Sequence, residues 1–156
     1  VGAEGEGAAP AEAVLTEGIL ALGALAVGVA DRLLWDTVEY TKNREQFGVP
    51  ISRFQALQHR MADLFMSAEQ GRSLLLAATL KTAEGHVDAD QAVHAFKSWL
   101  GRGGRKIGQE AIQLHGGMGM TDELAVGHYF KRLTAADLLF GTADQHLSAY
   151  AEKMAG

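Results

Sequence analysis

Apolar residues recur at helical spacing over most of the chain, and this pattern limits the possible folds more than any other feature. From residue 10 to about residue 43 they fall three or four positions apart, and Pro10 suits a first helical turn. Two more long periodic stretches follow, at about 51–82 and from 88 to about 115. No long stretch alternates with period two. We therefore predict an all-α protein, an up-and-down four-helix bundle with long antiparallel helices.

Three further local features refine this prediction. Two shorter helices are expected after residue 120. Within the first helix, Gly18, Gly23 and Gly28 each cost about 1 kcal/mol relative to alanine in an exposed helix, so we expect another backbone to pack closely there. Asp88 and Gln91 are three positions apart, which is the spacing of a capping box at the start of the third helix.

Size and composition restrict the function classes. A chain of 156 residues with 47% hydrophobic and 21% charged residues predicts one folded domain, residues 1–156. A net charge of −5 argues against nucleic-acid binding, and the absence of cysteine excludes disulfides and thiolate chemistry. The most apolar run, residues 19–30, is shorter than the roughly 20 residues that a bilayer requires. We expect a cytoplasmic protein without a membrane span.

Few residue patterns suggest chemistry carried by the chain itself. Asp90 and His94 are four positions apart, a spacing at which a carboxylate and an imidazole can hold a divalent metal. The same pair also fits an ordinary solvated helix start, where the helix dipole favours acidic residues. The sequence has no Glu-x-x-His pair on the long helices and no Gly-x-Ser-x-Gly elbow. We predict no metal site and no catalytic residue.

The two bends between long helices are the stronger candidates for a ligand site. The first bend, "NREQFG", carries Arg44 with Gln46 and Phe47, and a guanidinium beside amide donors suits a phosphate or pyrophosphate. The second bend, "QLHGGMG", carries Gln113 and two consecutive glycines, which allow a flat ligand to approach the main chain. Either bend also fits a simple helix stop.

Taken together and in order, these bends resemble the C-terminal helical domain of acyl-CoA dehydrogenases. The resemblance is carried by residues 40–64, 111–123 and 138–147. They contain Arg-x-Gln-Phe-Gly, a Phe-Gln pair, a Gly-Gly-x-Gly bend and a Gly-Thr, in that order. The resemblance covers essentially the whole chain. It does not include the upstream helical and β-barrel domains that complete the acyl and flavin pockets in such enzymes.

The resemblance implies a flavoprotein function. Members of this family oxidise acyl-CoA thioesters at the Cα–Cβ bond: a carboxylate base takes the α-proton, and FAD accepts the β-hydrogen as hydride. The implied partners are an acyl-CoA substrate, an electron-transfer acceptor and a homo- or hetero-oligomer in which FAD lies across a subunit boundary. The implied cofactor-binding residues are Arg44, Gln46, Phe47, Gln55, Gln113, Gly116, Gly117 and Thr142.

The chain departs from the family at the catalytic base. That carboxylate usually stands immediately before the Gly-Thr, where this chain has Phe140. Some branches place it on the first helix instead, at the position of Gly18. The adjacent Glu17 would point about 100° away around the helix. A further position that often carries a flavin-contacting glutamine is Asp144 here.

We therefore predict a chain that supports FAD, lacks its own base and is inactive in isolation, with a partner subunit supplying the carboxylate. Two alternatives stay open. One is a structural bundle that holds an oligomer together and touches no cofactor. The other is a self-sufficient dehydrogenase in which Glu17 acts as the base.

Overall fold

The computed structural model describes residues 2–155, which form helices joined by short turns and one small hairpin. The predicted all-α class is confirmed. In chain order the α-helices are α1 (Ala8–Asn43), α2 (Gln55–Ala83), α3 (Ala89–Trp99), α4 (Arg105–His115), α5 (Val126–Leu138) and α6 (Ala143–Ala155).

The bend between α1 and α2 is a tight antiparallel hairpin, which the sequence pattern did not indicate. Its strands are β1 (Glu45–Gln46) and β2 (Val49–Pro50). Phe47 and Gly48 form the two-residue loop, and both have left-handed backbone, with φ of +57° and +79°. Two positive φ angles in succession are typical of hairpin turns that match the twist of the strands.

The second helix begins later than predicted. Residues Ile51–Arg53 form a short 3-10 turn, and Phe54 then adopts an extended backbone, with φ −77° and ψ 120°. This extended residue separates the 3-10 turn from the α-helix. The regular helix therefore starts at Gln55 rather than at residue 51.

The predicted third helix is interrupted by a π-helical segment, Leu100–Gly104, that joins α3 to α4. Close contacts explain two of its glycines, one with a distant helix and one with the preceding turn. A Cβ at Gly101 would lie 2.0 Å from Asp137 Oδ1, and one at Gly103 would lie 2.5 Å from Trp99 Nε1.

The predicted capping box at the start of α3 is not formed. Asp88 occupies the N-cap position but makes no capping hydrogen bond with its side chain. Its carboxylate instead lies 3.5 Å from Lys81 Nζ and 3.7 Å from His86 Nδ1. The N–H of Asp88, which Gln91 would bond in a capping box, donates instead to His86 Nδ1 at 3.1 Å.

The core lies between α1, α2 and the α3–α4 unit, with α5 packed on α1 and α4 and with α6 packed on α3. Burying large aliphatic and aromatic side chains is the main favourable term in such a bundle, at about 1.5–3 kcal/mol per side chain. The fully buried large apolar residues include Leu33, Leu34, Leu64, Phe96, Leu100, Ile107 and Leu133.

The glycines of α1 pack against aromatic rings, so the expected approach of another backbone is wrong. A Cβ at Gly23 would lie 2.3 Å from the ring of Phe96, and a Cβ at Gly18 would lie 2.9 Å from the ring of Phe140. Gly28 has nothing within 4 Å of its Cβ position. Two of the three glycines thus make room for rings, while the third faces open space.

Helix α1 is longer than its most apolar run suggested, which affects the expectation about membranes. The helix has 36 residues, and an 18-residue window within it reaches a mean hydropathy of 2.0. By length and composition alone it meets the criterion for a membrane span. A mostly buried core helix passes the same test; in α1, 28% of this window is buried, and the helix packs against α2, α4 and α5.

The contact between Gly71 of α2 and Trp99 yields a prediction about stability. A Cβ at Gly71 would lie 2.0 Å from Trp99 Cη2, and the indole is buried. We expect Gly71→Ala to lower the free energy of unfolding by about 1–3 kcal/mol, as is typical of overpacked cores. Urea denaturation followed by circular dichroism measures this change.

The matched control is Gly28→Ala on α1, where a Cβ meets nothing within 4 Å. Because alanine is the better helix former, this substitution should leave the chain as stable or stabilise it by up to about 1 kcal/mol. Equal unfolding midpoints for the two variants would show that the indole does not limit the space at Gly71.

Candidate functional site

The two polar bends meet in the folded chain and enclose one groove. A cavity of about 490 Å³ lies between the end of α1, the hairpin, the first turns of α2 and the end of α4. The sequence predicted eight cofactor-binding residues. Those that line this groove are Arg44, Gln46, Gln113, Gly116 and Gly117.

An aromatic stack holds the two bends together. The Tyr40 ring, in the last turn of α1, stacks on the His115 ring with centroids 4.3 Å apart and an interplanar angle of 29°. Tyr40 Oη also donates a hydrogen bond of 3.2 Å to the carbonyl of His115. His115 is buried, and its Nδ1 lies 2.8 Å from the carbonyl of Ala111. The end of α4 is thereby fixed against the end of α1.

The twin glycines leave the main chain open at the mouth of the groove. Helix α4 stops at Gly116, whose φ of +60° and ψ of −139° are unfavourable for residues with a side chain. The chain continues as a 3-10 segment, Gly116–Met120. A Cβ at Gly116 or Gly117 would meet nothing within 4 Å. The backbone conformation thus accounts for glycine at 116, whereas nothing in the described fold requires it at 117.

The groove contains two arginines in different electrostatic situations. Arg60 Nη2 lies 2.7 Å from Glu110 Oε2, so its charge is already balanced. The side chain of Arg44 makes no ion pair with any residue between 2 and 155. Its backbone is fixed, because its N–H donates to Tyr40 and its carbonyl accepts from Ile51. Arg44 therefore offers an exposed guanidinium, on a fixed stretch of backbone, to an anionic group.

Some groove residues were missed by the sequence analysis. They are Tyr40, Ile51, Leu57, Arg60, Leu114, His115 and Met118. Tyr40 lies one helical turn before Arg44, so the helical period could have indicated it. The Arg60–Glu110 pair joins residues fifty positions apart. No local pattern in the sequence signals such a pair.

The remaining predicted cofactor residues do not line this groove. Phe47 is at the hairpin tip, 92% exposed, with its ring edge-on to Phe54. Gln55 is exposed at the start of α2. Thr142 directly precedes α6; its N–H donates to Gln145 Oε1 at 2.8 Å, and its hydroxyl accepts from the Gln145 N–H at 3.4 Å. This reciprocal pattern is that of a capping box.

The two positions where the family places its base face each other. Phe140 has a left-handed backbone, with φ of +59°, and its ring lies against Gly18. Glu17 is exposed and does not line the adjacent cavity of about 830 Å³, whose walls include Thr16, Ile19 and Phe140. No carboxylate of the chain therefore stands at either position. Asp144, nearby in sequence, pairs with Arg102 at 2.7 Å.

The candidate metal residues form an ion-pair and histidine cluster. His94 Nε2 lies 3.4 Å from Asp90 Oδ1, and Asp90 also pairs with Lys153. His94 Nδ1 lies 2.8 Å from His146 Nδ1. Burial lowers the pKa of His94 despite the nearby Asp90 carboxylate. In the described part of the chain, no group of three or more His, Cys, Asp or Glu residues is arranged to hold a metal.

Comparison with known proteins matches this geometry to one family. The family described as "Acyl-CoA dehydrogenase, C-terminal domain" matches residues 5–155. A short-chain specific acyl-CoA dehydrogenase from Megasphaera elsdenii is 33% identical over 150 residues, which is 94% of this chain and 38% of that relative. The chain thus spans about two-fifths of the length of this relative.

Solved structures give the same result. The FAD complex of PigA superposes with a TM-score of 0.93 at 32% identity, covering 99% of this chain and 40% of PigA. A chain of the ChsE4–ChsE5 complex from Mycobacterium tuberculosis gives a TM-score of 0.85 at 30% identity, covering 90% of this chain and 38% of that one. Fold, bends and family match agree, and the chain belongs to the acyl-CoA dehydrogenase family, whose C-terminal helical domain it represents.

Proposed function

We propose that residues 1–156 form the C-terminal domain of an acyl-CoA dehydrogenase-type flavoprotein, and that the groove between the two bends holds part of an FAD bound mainly by a neighbouring subunit. The observation that carries the proposal is the convergence of Arg44, Gln46, Gln113 and the twin glycines on one groove. The similarity to PigA, whose structure is an FAD complex, supports the choice of cofactor.

The groove suits the phosphate-bearing half of a dinucleotide. The Arg44 guanidinium can form a charge-assisted pair with a pyrophosphate, and the amides of Gln46 and Gln113 can donate further hydrogen bonds. At Gly117 the absence of a Cβ permits a flat ring or a phosphate to approach the main chain. When bound, FAD would accept a hydride from the β-carbon of an acyl-CoA thioester. The chain's own contribution is to bind and orient the cofactor.

The catalytic base is proposed to come from another subunit. A phenylalanine cannot accept a proton, Gly18 has no side chain, and Glu17 lies outside the cavity beside them. Two other carboxylates line that cavity: Asp90 is paired with His94 and Lys153, and Glu12 lies six positions before Gly18 on α1. The ChsE4–ChsE5 complex contains a chain similar to this one, which supports an assembly of two unlike subunits. We further propose a cytoplasmic location and an electron-transfer acceptor for the assembled enzyme.

Flavin content tests the role of the groove. We expect co-expression with a neighbouring acyl-CoA dehydrogenase gene product to give a yellow complex. Arg44→Ala in this chain should lower its flavin-to-protein ratio at least tenfold at limiting FAD, because a charge-assisted pair contributes about 1.5–3 kcal/mol. Flavin absorbance of the purified complex measures the ratio.

The matched control is Arg53→Ala, which removes an exposed arginine that lies close to the hairpin in sequence and outside the groove. It should retain the full flavin content. Equal flavin content in the Arg44 and Arg53 variants would favour the structural alternative, a bundle that joins subunits and touches no cofactor.

A second prediction concerns the main chain at the groove. Gly117→Ala should leave the unfolding midpoint unchanged, because its Cβ would meet nothing within 4 Å of the described chain. We expect it to raise the dissociation constant for FAD in the complex by about tenfold, because the new methyl group would lie between the backbone and the ligand. Flavin fluorescence titration measures the constant, and unchanged affinity would place the ligand elsewhere.

A third prediction separates a borrowed base from an internal one. Glu17→Gln in the assembled complex should leave turnover of an acyl-CoA within about twofold of the unmodified complex, because the exposed carboxylate takes no part in proton transfer. Dye-coupled reduction assays measure the turnover. Loss of activity by more than about a hundredfold, the usual contribution of a general base, would instead identify Glu17 as the base.

A further inference from the structure

The turn between α5 and α6 holds a bulky residue in a conformation that such residues avoid. Leu139 ends α5 with an extended backbone, and Phe140 and Gly141 then have φ of +59° and +98°. Glycine adopts the left-handed region freely, whereas for phenylalanine it is strained. The strain at Phe140 persists only if the surrounding structure fixes the turn from outside.

Lys97 of α3 supplies one such constraint. The residue is 0% exposed, and its Nζ donates to the carbonyls of Asp137 at 3.0 Å and Gly141 at 2.6 Å. Burial lowers the pKa of Lys97, because the interior disfavours the ammonium, although the charge of Asp137 partly opposes this. A buried amine of this kind needs its acceptors. Lys97 therefore links two carbonyls, one before and one after Phe140, to α3.

His146 of α6 fixes the carbonyl of Phe140 itself. Its Nε2 lies 2.8 Å from that oxygen. A carbonyl only accepts, so Nε2 carries the proton. The other nitrogen, Nδ1, lies 2.8 Å from His94 Nδ1, so one proton is shared between the two rings. His94 thus orients the His146 ring from α3, while His146 donates to the turn.

These bonds hold the backbone on both sides of Phe140, and its ring extends from there to α1. The ring lies against Gly18 of α1, where a Cβ would be 2.9 Å from its Cζ atom. It also forms part of the wall of the cavity of about 830 Å³ described above. The carbonyl of Phe140 is therefore bonded to His146 of α6, and its ring packs against Gly18 of α1.

We propose that Lys97 and His146 are positioning residues that hold Phe140 as an aromatic plug over the α1 backbone at Gly18, although the residue itself stays 43% exposed. The functional consequence rests on the proposed function: the plug would leave no room for a base on α1 at Gly18, while the cavity beside it stays open. A side chain at position 18 would collide with the ring, so the plug excludes a carboxylate from both places where the family positions its base.

The position of the ring can be measured directly by nuclear magnetic resonance on the full chain. An aromatic ring this close shifts the two α-protons of Gly18 unequally, whereas Gly28 on the same helix has nothing within 4 Å of its Cβ position and serves as the internal control. Phe140→Leu removes the ring, so its α-proton splitting is the reference value for Gly18 without a neighbouring ring. The readout requires neither flavin nor acyl-CoA, so it is independent of the proposed cofactor role.

We expect His146→Ala to reduce the Gly18 α-proton splitting to that of Phe140→Leu, with Gly28 unchanged. His146→Gln, which keeps an N–H donor for the Phe140 carbonyl, should restore most of the splitting. Lys97→Met, which keeps the aliphatic volume, is the second disrupting variant if His146→Ala does not fold. A Gly18 splitting equal to that of the unmodified chain in either folded variant would overturn the proposal.

Discussion

The stacking of Tyr40 on His115 is the contact on which the candidate site depends. It joins the last turn of α1 to the last turn of α4, across seventy-five positions of sequence, and adds a hydrogen bond to the carbonyl that precedes the twin glycines. An aromatic pair of this kind contributes about 0.5–1.5 kcal/mol beyond its buried area. Its main effect here is geometric. It brings Arg44 and Gly117 to the same groove.

The sequence predicted the helices well because their signal is repeated over many turns. The long apolar period in α1 and α2 outweighs several glycines, and the observed helices follow it. The interruptions were not predicted, because they depend on contacts that the helical period does not show. Gly101 in the π-helical turn makes room for Asp137 of α5, and the N–H of Asp88 bonds His86 instead of Gln91.

The candidate site was predictable to the extent that its chemistry is local. Arginine, glutamine and consecutive glycines at two bends suggested a phosphate-binding site, and the fold brings those bends together. Pairs between residues far apart in the sequence could not be predicted from local patterns, as the Arg60–Glu110 ion pair illustrates. The glycine contacts show the same limit. Only the folded chain shows that Phe96 and Phe140 occupy the space at Gly23 and Gly18 of α1, whereas nothing occupies it at Gly28.

Gly117 and Gly18 differ in what surrounds the position of a Cβ atom. At Gly117 the position of a Cβ is empty, although its φ would permit a side chain, so glycine there is explained best by something outside the described chain. At Gly18 the same position is filled by a ring that the chain itself provides. The first arrangement suits a groove that receives a cofactor from a neighbouring subunit. The second leaves no room for a side chain on α1 at Gly18, and two buried polar side chains bond the backbone carbonyls of the turn that carries the ring.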